Sequence, residues 1–192
     1  GVAEVMGLKR IIDFMRGDEY DVCVVDTAPT GHTLQLLALP NLLNDWLRVL
    51  AKMRWKYRYI IYRLSRREVM EKADEFLLDM KKTIKSVGAL LREPHRTEFV
   101  VVTIPEAIAI CETKRMWHIL QSYGIPARHL IINAVMPENS DCQFCASKRA
   151  QQQRYIDQVY DDFGDSEIIQ APLQPREVKG IESLQQFATA LL

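Results

Sequence analysis

The feature that most constrains the fold is a short apolar run that ends on a carboxylate, Val22-Cys23-Val24-Val25-Asp26. Consecutive apolar residues, most of them β-branched, are typical of a strand buried on both faces, as in parallel sheets. An Asp at the carboxyl end of such a strand lies where open α/β sheets bind ligands, and nucleotide hydrolases hold Mg²⁺ at that position, usually through a water. The run therefore predicts a strand over 22–26 with a ligand-facing carboxylate at Asp26.

The residues after Asp26 add hydroxyl groups, a rigid proline and a permissive glycine before a predicted helix. They are Thr27, Ala28, Pro29, Thr30, Gly31, His32 and Thr33. Such a segment can contact a terminal phosphate and move when the phosphate leaves. Taken alone, Asp-Thr-Ala favours a simpler interpretation, in which Asp26 caps the next helix and Gly31 only permits a turn.

Composition and charge exclude several classes of function. The chain is 48% hydrophobic and 26% charged, which is the balance of an ordinary globular protein. Its 25 basic and 25 acidic residues give a net charge of zero, so any affinity for nucleic acid or a membrane must be local. No apolar run approaches the ~20 residues needed to span a bilayer. The first residues lack the basic and apolar regions of a signal peptide, and their Gly start suggests a truncated, processed or fragment chain.

The four cysteines favour a reducing compartment, so we expect a cytoplasmic protein. Cys23 and Cys111 lie inside strand and helix patterns and are expected to be small buried apolar side chains. Cys142 and Cys145 form a Cys-x-x-Cys pair, which suits a metal site or a redox pair better than a disulfide scaffold. A closed zinc site needs about four ligands, so this pair supplies half of one; a free pair or an intrachain disulfide is the alternative.

Further strand and helix patterns alternate after residue 96 and predict a doubly wound, mostly parallel sheet with right-handed crossovers. Strands are expected over 98–103, 129–133 and 167–169, and helices over 107–122 and 148–163, with a loop over 136–147 between them. The first of these helices is expected to pack inward through Ile108, Cys111, Trp117, Ile119 and Leu120. A helix over 3–16 and another over 33–39 complete the predicted core, which covers residues 1–40 and 96–192.

Residues 41–95 form a different segment, without strand patterns, which we interpret as a helical insertion. From Trp46 to Arg67 it has eight basic residues and no acidic one, beside two apolar stripes. A helical hairpin with a solvated basic face explains this pattern. Alternatively, residues 41–92 form an apolar groove for another helix, in which Met53, Met70 and Met80 adapt to different partners. A nucleic-acid site is disfavoured by the neutral charge and the lack of a binding motif.

Several of these motifs together resemble the ATPases that drive arsenite export or deliver tail-anchored membrane proteins. The string from Asp26 through Thr33 to Pro40 is similar to that family's second switch. Other matching segments follow in the family's order, namely Thr103-Ile104-Pro105-Glu106, Cys111 to Arg115, Ile131-Ile132-Asn133, Cys142 to Cys145, and Pro172 to Gly180. The resemblance covers nearly the whole chain and is closer to the targeting-factor members, which have the cysteine pair.

The resemblance implies a nucleotide hydrolase core that uses ATP and Mg²⁺. Asp26 would be the magnesium-associated carboxylate, and Thr27, Thr30, Gly31 and His32 would sense the phosphate. Nucleotide contacts are implied for Glu106 and Asn133 and for a loop around the adenine, which contains Pro172, Leu173, Glu177, Val178 and Lys179. In the family, two subunits each contribute a cysteine pair, so Cys142 and Cys145 would hold Zn²⁺ across a homodimer.

One departure from the family bears on catalysis. Relatives begin with a strand, a phosphate loop containing Lys-Gly-Gly-x-Gly-Lys-Thr, and a first switch that positions water, and none of these occurs in the chain. Without such backbone N–H groups and lysines, the phosphates lose most of their cradle. We therefore expect an ATPase parent but no hydrolysis by this chain alone, and a sheet edge left open unless another chain covers it.

Three functions follow as hypotheses. The first is part of a dimeric cytosolic ATPase that binds transmembrane helices of tail-anchored proteins through residues 41–92, with a membrane receptor as a further partner. The second is the ATPase subunit of an arsenite pump. The lack of cysteines between residues 24 and 110 argues against it, because arsenite needs soft ligands. The third is a non-enzymatic holdase that is zinc-linked or controlled by thiol oxidation.

Overall fold

The structure of the chain is a computed structural model that describes residues 14, 20–26, 52, 79, 82, 85, 86, 88–138, 141–189 and 191. The chain divides into two compact units, Gly1–Arg92 and Glu93–Leu192. In the first unit, Phe14 and Tyr20 meet edge to face with ring centroids 6.3 Å apart, and residues 88–91 are helical.

The predicted helices over 3–16 and 33–39 and most of the insertion lie outside the described residues. The domain boundaries near residues 40 and 95 therefore stay predictions. In the described part of the chain, no helix has both the length and the apolar character needed to cross a membrane.

The second unit alternates strands and helices in the order β1 (Val101–Thr103), α1 (Ala107–Ser122), β2 (His129–Val135), α2 (Gln143–Phe163), β3 (Glu167–Pro172) and α3 (Ile181–Thr189). The strands form one parallel sheet in the order β1-β2-β3, with Val101 opposite Leu130 and Leu130 opposite Ile168. Parallel neighbours require a crossover connection, and α1 and α2 each supply one. The arrangement confirms the predicted α/β fold class.

Helices α1 and α2 lie side by side on one face of the sheet. Both crossovers step in the same direction across the sheet, so right-handed connections place both helices on the same side. Lys114 of α1 and Asp162 of α2 form an ion pair at 2.6 Å. Near it, Trp117 and Phe163 pack edge to face with ring centroids 5.1 Å apart.

The hydrophobic core fills the space between these two helices and the sheet. It consists of Ile110, Leu130, Ile132, Val135, Ile156, Val159 and Phe163, with Trp117, Tyr155 and Ile168 packed against it. Full burial of an aliphatic or aromatic side chain contributes about 1.5–3 kcal/mol, so this cluster is the main source of stability in the second unit. Its position also fixes the strand ends that carry the candidate site.

The buried stripe of α1 differs from the predicted one. Ile110, Thr113 and Leu120 are buried and Trp117 is half-buried, which is the three-four-three spacing of one helix face. Ile108 is 81% exposed, and Cys111 is also exposed. The predictions that Ile108 packs inward and that Cys111 is buried are therefore wrong, because both residues lie off this stripe.

The predicted strand over 22–26 is also wrong as a description of this structure. Residues 22–26 belong to no strand, and Val22 and Val24 are 77% and 89% exposed. Cys23, expected to be buried, is exposed. An apolar β-branched run satisfies the side-chain requirements of a buried strand, but a strand also needs a hydrogen-bonded neighbour. In the described sheet, all three strands belong to the second unit.

Other element boundaries shift as well. β1 begins at Val101 instead of residue 98, because the ladder with β2 starts there; before it, the Phe99 N–H donates to the Pro126 carbonyl at 2.9 Å. β2 and β3 extend beyond their predicted ends, to Val135 and Pro172. Helix α2 begins at Gln143, inside the predicted loop, because the Cys142 sulfur accepts a hydrogen bond from the Cys145 backbone N–H at 3.3 Å and caps the helix.

Glu98 holds the segment before β1 to the amino end of β2. Its Oε1 accepts from the Arg128 backbone N–H at 2.7 Å and lies 3.0 Å from His129 Nδ1. Its Oε2 accepts from Arg128 Nε and Nη2 at 3.1 and 3.0 Å. Burial by itself would raise the pKa of Glu98, but the hydrogen bonds from the Arg128 backbone, His129 and the Arg128 side chain outweigh it and hold that pKa below its usual range.

His129 extends this cluster to β3. Its Nε2 lies 3.2 Å from Glu167 Oε2, so one imidazole joins the segment before β1 to the first residue of β3. The cluster fastens the amino edge of the sheet.

Candidate functional site

The candidate nucleotide-contacting residues of the second unit gather at the carboxyl edge of the sheet. Glu106 follows β1, Asn133 lies near the end of β2, and Pro172 ends β3. Because parallel strands end at the same edge, three positions that are far apart in sequence lie beside one another. The Leu173 backbone N–H donates to the Val135 carbonyl at 2.8 Å and so ties the loop after β3 to the end of β2.

Glu106 precedes α1 and is exposed. Its carbonyl accepts the Ile110 N–H at 3.0 Å, while its carboxylate does not cap the helix. Instead, Glu106 Oε1 lies 3.6 Å from Nζ of Lys148 on α2. The carboxylate is therefore directed across the start of α1 towards α2.

A pocket of about 340 Å³ lies between the start of α1 and the middle of α2. Its lining combines one carboxylate, one ammonium group, two amides and a phenol with apolar surface, from Pro105, Glu106, Ala107, Ile108, Lys148, Gln151, Gln152 and Tyr155. Such a lining offers hydrogen-bond donors and acceptors around a small polar ligand.

Asn133 lies at a bulge in β2. The pairing with β3 shifts between Ile132 and Val135, because three steps along β2 match the two steps from Gln170 to Pro172 on β3. Ala134, the extra residue, has a φ of 56°, and its N–H donates to Asn133 Oδ1 at 2.8 Å. The Asn133 side chain is exposed at this edge, where an amide can both donate to and accept from a base.

The loop after β3 leads from Pro172 to α3. Leu173 is 44% exposed, and the Gln174 side chain donates to the Pro172 carbonyl at 3.2 Å. Glu177 and Lys179 are exposed and Val178 is half-buried. Gly180 has a φ of 83°, a conformation that favours glycine, and its carbonyl accepts the Leu184 N–H at 3.1 Å where α3 begins.

Cys142 and Cys145 are free, half-buried thiols at the start of α2. The hydrogen bond between the two sulfurs has the largest effect on them. It lowers the pKa of Cys142, which accepts it as the thiolate, and raises the pKa of Cys145, which donates it as the thiol. Cys142 is thus the more reactive sulfur of the pair. Among the described residues, no group of three or more His, Cys, Asp and Glu side chains could hold a metal ion.

The family model for anion-transporting ATPases matches residues 1–192, the whole chain. The chain belongs to the anion-transporting ATPase family. This result confirms the resemblance inferred from the sequence motifs.

Similar proteins come from several organisms. "ATPase ASNA1 homolog 2" of Paramecium tetraurelia is 31% identical over 200 residues, which cover 100% of the chain and 62% of that protein. "ATPase GET3B" of Arabidopsis thaliana is 33% identical, and the match covers 96% of the chain and 47% of that protein. "Putative arsenical pump-driving ATPase 2" of Aquifex aeolicus (strain VF5) is 37% identical, and the match covers 92% of the chain and 58% of that protein. The chain therefore spans between 47% and 62% of the length of each of these three relatives.

The other predicted site residues of this anion-transporting ATPase family member lie in the first unit. Asp26 is exposed at the end of the segment 20–26. Thr27, Thr30, Gly31 and His32 lie outside the described residues, so their role at the phosphate stays a prediction.

Sequence reasoning missed five α2 residues that line the pocket or hold the bulge: Lys148, Arg149, Gln151, Gln152 and Tyr155. Gln152 had a recognisable signal. It stands four residues before Ile156 and seven before Val159, on the buried stripe of α2. An amide in an apolar stripe is expected to be buried, and a buried amide is expected to hydrogen-bond to another group of the protein.

Proposed function

We propose that this chain is part of an ATP-dependent targeting factor, which binds the transmembrane segments of tail-anchored proteins for delivery to a membrane. The observation that carries the proposal is the juxtaposition of Glu106, Asn133 and Pro172 at one edge of a parallel sheet, in a chain that belongs to an ATPase family over its whole length. The relatives extend beyond the matched region, so the activity is proposed for the whole protein.

In this proposal the carboxyl edge recognises the adenine. Asn133 offers an exposed amide, Leu173 and Pro172 offer apolar surface, and the loop through Glu177, Val178 and Lys179 encloses the base with backbone groups. Glu106 contacts the nucleotide from the start of α1. Asp26 has the oxygen ligands that Mg²⁺ prefers and would hold it through a water, while Thr27, Thr30, Gly31 and His32 sense the terminal phosphate.

Nuclear magnetic resonance tests the adenine edge directly. Adenosine and ATP should shift the backbone amide signals of Asn133 and Leu173, and should leave those of Glu98 and Glu167 at the opposite edge unchanged. Adenosine serves as a probe because it needs no phosphate cradle. If neither ligand shifts the Asn133 signal at saturating concentration, the assignment of this edge is wrong.

Hydrolysis is not expected of the 192 residues alone, because they contain no phosphate loop of the Gly-Lys type. An ATPase assay on the purified chain should give no turnover above the uncatalysed rate. Robust turnover would contradict this reasoning about the phosphate cradle.

We also propose that Cys142 and Cys145 hold Zn²⁺ across a homodimer. One chain presents two thiol ligands at the start of a helix, and a tetrahedral structural zinc site takes four, so two chains complete the donor set. Metal analysis should find one zinc per two chains, and Cys142→Ser should lose both the metal and the dimer. A monomer without metal would remove the zinc-linked dimer and leave a redox-active pair.

Clients are proposed to bind through residues 41–92, in the cytoplasm, before transfer to a membrane receptor. A basic rim beside an apolar groove suits residues that flank a transmembrane helix, whereas nucleic acid is not expected as a partner. The complete polypeptide should capture a tail-anchor peptide with an affinity that depends on the bound nucleotide. Equal affinity in every nucleotide state would refute coupling and favour a non-enzymatic holdase.

An arsenite-pump ATPase subunit is the second candidate, because the most identical of the three relatives above is named as an arsenical pump-driving ATPase. Arsenite needs soft ligands, and the chain has no cysteine between residues 24 and 110. Arsenite titration of the chain, followed by thiol accessibility at Cys23 and Cys111, separates the two candidates. Protection of these thiols favours the pump.

A further inference from the structure

The bulge at the end of β2 is a strained feature that something must hold in place. Ala134 has a φ of 56°, in the left-handed region that β-carbon-bearing residues rarely adopt. Conformations of this kind persist only where surrounding contacts impose them. Because Asn133 immediately precedes Ala134, the same contacts determine where the Asn133 amide lies.

The Gln152 side chain of α2 supplies contacts on both sides of the bulge. Its Nε2 donates to the Ala134 carbonyl at 3.1 Å, and its Oε1 accepts the Met136 N–H at 2.8 Å. Arg149, one turn earlier on the same helix face, donates to the Met136 carbonyl at 3.4 Å. Two side chains of α2 therefore replace the ladder that β2 loses at this point.

Gln152 is itself held firmly. It is only 5% exposed, and its neighbours on the same stripe, Ile156 and Val159, belong to the hydrophobic core. Both ends of its amide are engaged by backbone groups of β2. A buried amide with both ends satisfied has one arrangement of low energy, so it transmits the position of α2 to the bulge.

We propose that Gln152 is a positioning residue for nucleotide binding, which fixes the bulge at Ala134 and thereby presents Asn133 to the adenine. The inference rests on the proposed function, because it assumes that Asn133 contacts the base. Gln152 acts through the β2 backbone, whereas Asn133 is the residue that touches the ligand. The position of α2 and the geometry of the base site are then linked through one side chain.

The test compares ATP affinities of the 192-residue chain by nuclear magnetic resonance titration. Gln152→Met keeps the side-chain length and removes both hydrogen bonds. Gln153→Met is the matched control, because the neighbouring amide bonds only Asp157 on the exposed side of α2, at 2.8 Å. Asn133→Ala removes the contacting amide, and the double variant Asn133→Ala with Gln152→Met closes the cycle.

Gln152→Met should weaken ATP binding about 5-fold, the size of one lost net hydrogen bond, and Gln153→Met less than 2-fold. In the Asn133→Ala background the same change should have almost no further effect, because residues that act through one contact are not additive. Amide hydrogen exchange at Ala134 and Met136 should accelerate about 10-fold in Gln152→Met, with the amides of Leu130 and Ile132 unchanged.

Gln152→Asn covers the case in which the methionine variant fails to fold. It keeps a neutral amide but is one methylene shorter, so it places no charge in this buried site and draws the donor and the acceptor away from the Ala134 carbonyl and the Met136 N–H; the chain should fold and bind ATP more weakly than the unaltered protein. Wild-type affinity in a folded Gln152 variant, or losses that multiply with Asn133→Ala, would overturn the positioning role alone. If ATP leaves the Asn133 signals of the unaltered chain in place, the proposed adenine edge is overturned as well.

Discussion

Glu98→Gln should lower the stability of the second unit measurably, although the residue is far in sequence from every candidate site residue of β2 and β3. Glutamine has nearly the same shape, and its amide oxygen still accepts the Arg128 backbone N–H that now donates at 2.7 Å. What is lost is the pair of charge-assisted bonds from Nε and Nη2 of Arg128 to the second oxygen. The amide NH₂ that replaces this oxygen cannot accept them.

The magnitude follows from the exposure of the two partners. Hydrogen bonds to charged groups contribute about 1.5–3 kcal/mol in proteins. The Glu98 side chain is 22% exposed but that of Arg128 is 63% exposed, so water can solvate the released guanidinium, and exposed ion pairs contribute at most about 1 kcal/mol. We therefore expect a loss of about 1.5 kcal/mol, which lowers Tm by roughly 3–6 °C for a chain of this size.

The assay is thermal unfolding at several pH values. Because the pKa of Glu98 lies below its ordinary value of 4.5 in the folded state, its contribution is fully present above pH 4.5 and is lost as pH falls through the folded-state pKa. The gap in Tm between the unaltered protein and Glu98→Gln should thus be constant near neutrality and close in acid.

Glu93→Gln provides the matched control, because Glu93 forms only an exposed pair with Arg96 at 4.0 Å. It should change the free energy of unfolding by less than about 0.5 kcal/mol. Equal Tm values for Glu98→Gln and Glu93→Gln at pH 7, or a gap that persists unchanged at pH 3, would refute the view that Glu98 clamps β2 as a carboxylate.

Three further predictions concern single residues of the second unit. Ala134→Gly should raise the free energy of unfolding by about 1 kcal/mol, because glycine adopts a φ of 56° without strain; a lower Tm would contradict this. Phe163→Ala should cost about 3–5 kcal/mol in chemical denaturation, since Phe163 is 6% exposed and packs against Trp117. Iodoacetamide at neutral pH should modify Cys142 before Cys145 in mass mapping, because the pKa of Cys142 is lowered and that of Cys145 is raised; the reverse order would contradict it.

The sequence predicted α1 and the order of strands well because proline and glycine residues mark the ends of these elements. Pro105 precedes α1, and Gly124 and Pro126 follow it, so its bounds are confirmed at Ala107 and Ser122. The start of α2 was not predictable in the same way. Its cap is a cysteine sulfur, a residue type that propensity arguments do not place at helix starts.

The error at 22–26 has a different origin. A run of β-branched residues indicates only that its side chains would fit the surface of a sheet. It contains no information on whether a neighbouring strand is present to pair with. β1 illustrates the same limit, because Phe99 and Val100 belong to the same apolar run but the ladder with β2 begins at Val101. Sheet boundaries therefore depend on partners that a local pattern does not include.

The positions of the candidate site residues could be predicted where topology alone was enough, while their contacts with a nucleotide stay predictions. Glu106, Asn133 and Pro172 each follow or end a parallel strand, so the fold class already implied that they share an edge. The bulge was invisible, because the extra residue exists only relative to β3. Ala134 and Val135 are both apolar, and the alternation of β2 does not reveal which of them leaves the core.

Two residues of α2, one turn apart, reach this edge, and their energies differ enough to rank them. The ion pair between Lys148 and Glu106 spans 3.6 Å with side chains 35% and 56% exposed, so it contributes at most about 1 kcal/mol and weakens in salt. The Gln152 amide is buried and satisfies two backbone groups, and leaving such groups unpaired costs about 1–3 kcal/mol each. Gln152 therefore determines where α2 meets the end of β2, while Lys148 only adjusts the charge beside Glu106. Added salt should weaken the ion pair between Lys148 and Glu106 and leave the hydrogen bonds of Gln152 intact.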